Sequence, residues 1–195
     1  MREQEEAWDS FYRSNGRAWR GSCRLPDPLG GSGDALDIGC GSGKSCSTLV
    51  DMGYRVTGAD MSAEAVSLCS ERFGGRADFV KCDALALPFP DSSFDYVVAV
   101  HVLGHIRDAD IPRVSSEISR VLRPGGWLFV RDFAPGDMRE ASRESSDIDY
   151  FHRAPEAILC FFPGFDVASS ELAEERTRFG GVRRRSELLM ANRKQ

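Results

Sequence analysis

The chain predicts an α/β fold, a sheet with helices on both faces in three layers, and three observations predict it. Strand-like apolar runs alternate with helix-like segments from Ala35 to about Val130. The first run, Ala35-Leu36-Asp37-Ile38, ends in Gly39, Gly41 and Gly43 and gives way to Lys44-Ser45-Cys46-Ser47-Thr48-Leu49-Val50, which can wind as a helix. The run from Phe94 to Val100 is apolar at nearly every position, which implies burial on both faces and hence a central strand.

Bulk properties agree with one domain. The 195 residues are 42% hydrophobic and 28% charged, an ordinary globular composition with enough chain for a core. Six cysteines are scattered without a C-x-x-C pair, so free thiols are expected rather than a zinc knuckle or a disulfide framework. A run of about 18 apolar residues is absent, and Met1-Arg2-Glu3-Gln4-Glu5-Glu6 lacks a signal-peptide pattern, so a cytoplasmic location without a membrane partner is expected. A net charge of −5 argues against a wholly basic nucleic-acid binder.

Residues 2 to 12 place Trp8, Phe11 and Tyr12 on one helical face. Arg13 to Gly21 reads as loop, and Pro26, Pro28, Gly30, Gly31 and Gly33 as linker, which divides the chain into an aromatic arm over 1–33 and a domain over 34–195. The arm is expected either to anchor on the domain or to close over a ligand.

The glycine turn is the chemical centre. Glycine serves where φ must be positive or a ligand must approach the backbone, and the following helix offers unpaired N–H groups. A phosphate-binding loop requires four residues between its first glycine and Gly43-Lys44-Ser45, but Gly39 leaves three. A dinucleotide fingerprint would need a glycine at Lys44. What remains is Asp37-x-Gly39-x-Gly41-x-Gly43, whose acid suits an amine-bearing or cationic ligand better than a pyrophosphate.

Further along, Tyr54 to Ala59 alternates as a second strand and ends at Asp60, 21 residues beyond Gly39. A carboxylate there can accept from both hydroxyls of a ribose; it can also cap the helix predicted over 62–72. A third strand, Ala77 to Val80, runs into Cys82-Asp83-Ala84. The central strand ends at His101-Val102-Leu103-Gly104-His105, where two histidines four apart lack a third metal ligand. A helix capped by Asp110 stops at Arg123-Pro124-Gly125-Gly126, followed by a buried strand, Trp127 to Val130, and by Asp132. The polar loop from Ala134 to Asp149 is either disordered or a lid on the acceptor side, and Tyr150 and His152 follow it. Residues 171 to 195 carry seven basic against four acidic residues, a solvated edge or an RNA contact.

The glycine pattern, the string Leu87-Pro88-Phe89-Pro90-Asp91 with Phe94-Asp95 before an apolar strand, and Leu122-Arg123-Pro124-Gly125-Gly126 resemble the class I S-adenosylmethionine-dependent methyltransferases. The resemblance covers about residues 34 to 133; Lys44-Ser45 and Gly104 depart from the pattern. It implies a mostly parallel seven-stranded sheet with the last strand antiparallel. S-adenosylmethionine is the implied cofactor, with S-adenosylhomocysteine as product. Asp37, Gly39, Cys40, Gly41 and Gly43 would hold the amino-acid end, Asp60 with Met61 the ribose, and Cys82, Asp83 and Ala84 the adenine. Val100 and His101 would lie below the cofactor, Tyr12 and Trp19 would close over it, and His101, His105 and Asp132 are the catalytic candidates. The expected acceptor is a small molecule. A tRNA or protein acceptor, with or without an activating partner, and a non-catalytic binding module are the alternatives.

Overall fold

The computed structural model describes residues 2–16, 23–140, 147–177 and 180–193. Helix α1 (Arg2–Asn15) precedes β1 (Asp34–Ile38), α2 (Lys44–Met52), β2 (Arg55–Asp60), α3 (Ala63–Phe73), β3 (Asp78–Lys81) and β4 (Phe94–Val100). A 3-10 turn (Leu103–His105), α4 (Ile111–Val121), β5 (Leu122–Phe133), α5 (Pro155–Leu159), β6 (Phe165–Arg176) and β7 (Val182–Asn192) complete the order. The seven strands form a single sheet in the order β3-β2-β1-β4-β5-β7-β6. β7 runs antiparallel to both of its neighbours and the other pairings are parallel, as the resemblance implied.

Strand alternation divides the core in two. Leu36 and Ile38 of β1 join Val97, Leu128 and Leu188 on one face, under the stripe of α4 formed by Ile111, Val114, Ile118 and Val121. Ala35, Tyr96, Val98 and Phe129 face the other way, against Cys46 and Leu49 of α2 and Cys69 and Phe73 of α3. Cys23 and Leu25 belong to this second cluster, so the segment before β1 is already part of the core. Asp37 shares the parity of Ala35 and is carried toward α2.

Local signals set the element ends. Ser62 Oγ accepts from the Ala65 N–H at 3.2 Å, so Ser62 caps α3, while Asp60 supports it by accepting the Ser62 N–H at 2.9 Å. Gly53 and Gly74 close α2 and α3 in left-handed conformations. The expected break at Arg123-Pro124-Gly125-Gly126 lies inside β5, which bulges there: the ladder jumps from Phe94 opposite Leu122 to Tyr96 opposite Trp127. On the β6–β7 hairpin the arginines are paired across the strands, Arg184 with Glu174 at 2.8 Å and Arg185 with Glu175 at 3.3 Å. Among the described residues no helix is long and apolar enough to cross a membrane.

Candidate active site

The strand order reverses between β1 and β4, and the crevice at the carboxyl ends of those strands is where an open α/β sheet holds ligands. A cavity of about 1290 Å³ opens there, large enough for a cofactor and an acceptor together. Its floor is the glycine turn. Gly39, Gly41 and Gly43 have φ of 64°, 52° and 76°. A Cβ on Gly39 would lie 2.5 Å from Val102, and one on Gly43 would lie 2.6 Å from the Phe73 ring, so only glycine fits this path.

Two buried acids flank the turn with different tasks. Asp60 accepts the Gly41 N–H at 2.8 Å and lines the cavity, and burial pushes its carboxyl above the usual range despite that bond. Asp37 sits beneath the turn, where the Cys46 thiol donates to it at 3.1 Å and the Cys46 N–H also supports its charged form. Burial raises the Asp37 carboxyl to about 7. Cys46, pushed up to about 12 by burial, belongs with Cys40 and Cys69 to a set of buried, unreactive thiols packed around the turn.

The far wall is aromatic. Helix α1 lies over the cavity, held to α3 by Arg13 and Glu64 at 2.8 Å, and by Asp9 accepting from Ser62 Oγ at 2.5 Å. Gln4 of the same helix bonds the backbone of Asp147 and Asp149 beyond the central strand. Trp8 and Tyr12, four residues apart, both face inward. The Tyr12 hydroxyl stands over Gly41 beside Asp60, and burial and that acid raise it strongly. Trp8 meets the edge of His105 at 4.9 Å, and His105 meets Tyr150 at 4.7 Å, with His105 Nδ1 2.7 Å from the Asp149 carbonyl. His101 stacks on Phe133 with ring centroids 4.1 Å apart.

Of the residues expected from sequence, Tyr12, Gly39, Cys40, Gly41, Asp60, Met61, Cys82, Asp83, Ala84, Val100, His101 and His105 line this cavity. Asp37, Gly43 and Asp132 do not: Asp37 lies beneath the turn on Cys46, while Gly43 donates its N–H to the Cys40 carbonyl and Asp132 accepts the Phe133 N–H, both of residues that do. His152, half-buried, is also outside the lining, whereas Tyr150 is part of it. Trp19 lies outside the described residues. Sequence reasoning missed Lys44 and Arg131, and gave Trp8, on the same helical face as Tyr12, no role in the site. Strand alternation from Phe129 would have found Arg131.

The adenosine and sulfonium chemistry of S-adenosylmethionine fits this wall. It presents an amine, hydroxyls and a positive charge to carboxylates, and it brings no phosphate for the missing loop residue to hold. Comparison with known proteins agrees. A family model described as a methyltransferase domain matches residues 36–130. A ubiquinone/menaquinone biosynthesis C-methyltransferase of Desulfotalea psychrophila is 36% identical over 136 residues, which are 68% of this chain and 50% of that protein. A 2-methyl-6-phytyl-1,4-hydroquinone methyltransferase of Synechocystis is 38% identical over 63% of this chain and 37% of its own length. The chain thus spans half or less of the length of these curated relatives. A crystal structure of a SAM-dependent methyltransferase from Methanosarcina mazei superposes with a TM-score of 0.72 at 25% identity, covering 84% of this chain and 94% of that one. Residues 36–130 are thus a methyltransferase domain, set in the fold of the class I S-adenosylmethionine-dependent methyltransferases.

Proposed function

We propose that the protein transfers a methyl group from S-adenosylmethionine to a small-molecule acceptor. The observation that carries this reading is the opening of the glycine turn and the His101 end of β4 into one cavity roofed by α1. Gly39 and Gly41 would receive the amino-acid end, with Asp37 and Cys46 fixing the turn from below. Asp60 and Asp83 would accept from ribose and adenine, Cys82 and Ala84 would line the ring, and Tyr12 would cover it. The bound cofactor supplies an activated methyl group on a cationic sulfur. The chain's own contribution is to align an acceptor with that methyl and to exclude water, tasks suited to the aromatic wall under α1.

Relatives named for quinone and hydroquinone substrates support a small-molecule acceptor. The hairpin arginines support it too, because Arg184 and Arg185 are paired with Glu174 and Glu175. We place the reaction in the cytoplasm, where the free thiols Cys40, Cys46 and Cys69 would stay reduced. The test is incubation of the purified protein with methyl-labelled S-adenosylmethionine and a fractionated metabolite extract. Label is expected in a small-molecule fraction together with S-adenosylhomocysteine. Label confined to RNA or protein would overturn the acceptor assignment, and cofactor bound without turnover on any fraction would make the protein a binding module.

A further inference from the structure

The parallel register of β4 and β5 pairs Val100 with Arg131, which brings the next residues, His101 and Asp132, side by side at the strand ends. His101 takes a φ of 60°, an uncommon and costly conformation for a large side chain, held by its N–H donating to the Arg131 carbonyl at 2.7 Å. Phe133 stacks on one face of the ring. Nδ1 is buried, makes no hydrogen bond among the described residues, and lies 3.9 Å from Asp132 Oδ1. The His101 side chain is nevertheless 30% exposed and lines the cavity, so the edge open to a ligand is the opposite one, bearing Nε2.

Asp132 is fixed more firmly than a packing carboxylate needs to be. It is 2% exposed and accepts the N–H groups of Gly104 at 2.6 Å and Phe133 at 2.8 Å. A Cβ on residue 104 would lie 2.4 Å from Asp132 Oδ1. Gly104, one of the departures from the methyltransferase pattern, is therefore what lets the loop after β4 close on this carboxylate.

We propose that Asp132 is the positioning residue of a His101 base, and that the acceptor is a nucleophile that gives up a proton, a hydroxyl or an N–H group. The proposal rests on the methyltransferase reading. With Nδ1–H directed at Asp132, the neutral ring presents the Nε2 lone pair to the acceptor. The acceptor's nucleophilic atom bonds to the methyl carbon, the carbon–sulfur bond breaks with its electron pair remaining on sulfur, and the acceptor's proton passes to Nε2. The positive charge thereby moves from sulfonium to imidazolium, where Asp132 stabilises it. A thioether or a tertiary amine has no proton to give and would leave the dyad without a task. The charged groups facing His101 are Asp132, Arg131 and Arg139. Burial and the two guanidinium groups hold the ring neutral, and Asp132 opposes them.

Nitrogen-detected NMR of the labelled chain, with and without S-adenosylhomocysteine, reads the tautomer and titration of His101 directly. The expected result is an Nδ1–H tautomer at neutral pH, with proton affinity about tenfold or more lower in Asp132→Asn. Gly104→Ala, which displaces the carboxylate without removing it, should lower it in the same direction. An Nε2–H tautomer in the native protein, or an unchanged titration in Asp132→Asn, would overturn the dyad. Calorimetry on the same samples keeps the two readings apart: failure of the native protein to bind S-adenosylhomocysteine would sink the methyltransferase reading and leave the tautomer result standing. Mass spectrometry of the methylated product tests the acceptor class. A net gain of CH2, methyl replacing a proton, is expected, and a fixed-charge product gaining CH3 would overturn it.

Discussion

The two halves of the cavity are built by different means. The half proposed for the cofactor is made of backbone: glycines with positive φ, strand ends, and an acid that accepts a turn N–H. The half proposed for the acceptor is made of side chains drawn from α1, the end of β4, β5 and the segment around Tyr150, meeting ring against ring. A backbone site tolerates few sequences, because a Cβ at the wrong place strikes something fixed. A side-chain site can be rebuilt residue by residue on the same frame, which is how one fold serves many acceptors.

The strongest way to break the cofactor half is Gly43→Ala. Its φ of 76° and the Phe73 ring 2.6 Å from the new Cβ combine backbone strain with overpacking in the core. A loss of about 2–5 kcal/mol is expected from those two terms, read as a lower denaturant midpoint with loss of cofactor binding.

Asp37→Asn should act in the opposite sense. Asp37 is an acid whose folded value, about 7, lies above its unfolded one, so the unfolded chain binds fewer protons between them and stability falls as pH rises through that window. The amide removes the buried charge and can still accept from Cys46. Stabilisation of roughly 2–4 kcal/mol is expected at about pH 8, and half of that or less at about pH 5, by thermal unfolding.

Asp60→Asn tests the ligand-facing acid. Loss of charged hydrogen bonds to a ribose should weaken S-adenosylmethionine binding by about 10- to 100-fold, measured by titration. Unchanged affinity would contradict the role given to that carboxylate. The smallest effect belongs to the edge hairpin. The Arg184 and Glu174 side chains are 40% and 49% exposed, so Arg184→Gln should change stability by no more than about 0.5 kcal/mol and leave cofactor binding alone.

The same division explains what could be read from sequence. The glycine spacing, Asp60 at the second strand end and the alternation of strands declare themselves locally; the antiparallel last strand came with the resemblance, and the strand order was not read. Asp37 was legible as an acid near the turn, but its direction was not: the parity it shares with Ala35 sends it beneath the turn to Cys46. Gly104 read as a departure with no evident purpose, because its reason is the Asp132 carboxylate, 28 residues away in the chain. Trp8 and Tyr150 meet through His105 only after folding, so no local pattern joins them. The bulge at Pro124-Gly125-Gly126 hid the early start of β5 for a similar reason: pairing with Phe94 is decided across the sheet.

The most direct measurement is calorimetric titration of the cofactor-stripped chain with S-adenosylmethionine, S-adenosylhomocysteine, ATP with magnesium, and NAD in parallel. Binding of one molecule per chain by the first two, and none by the others, is the predicted result. Binding of ATP or NAD in place of S-adenosylmethionine, or no binding of any of the four, would contradict the assignment of the glycine turn on which the rest depends.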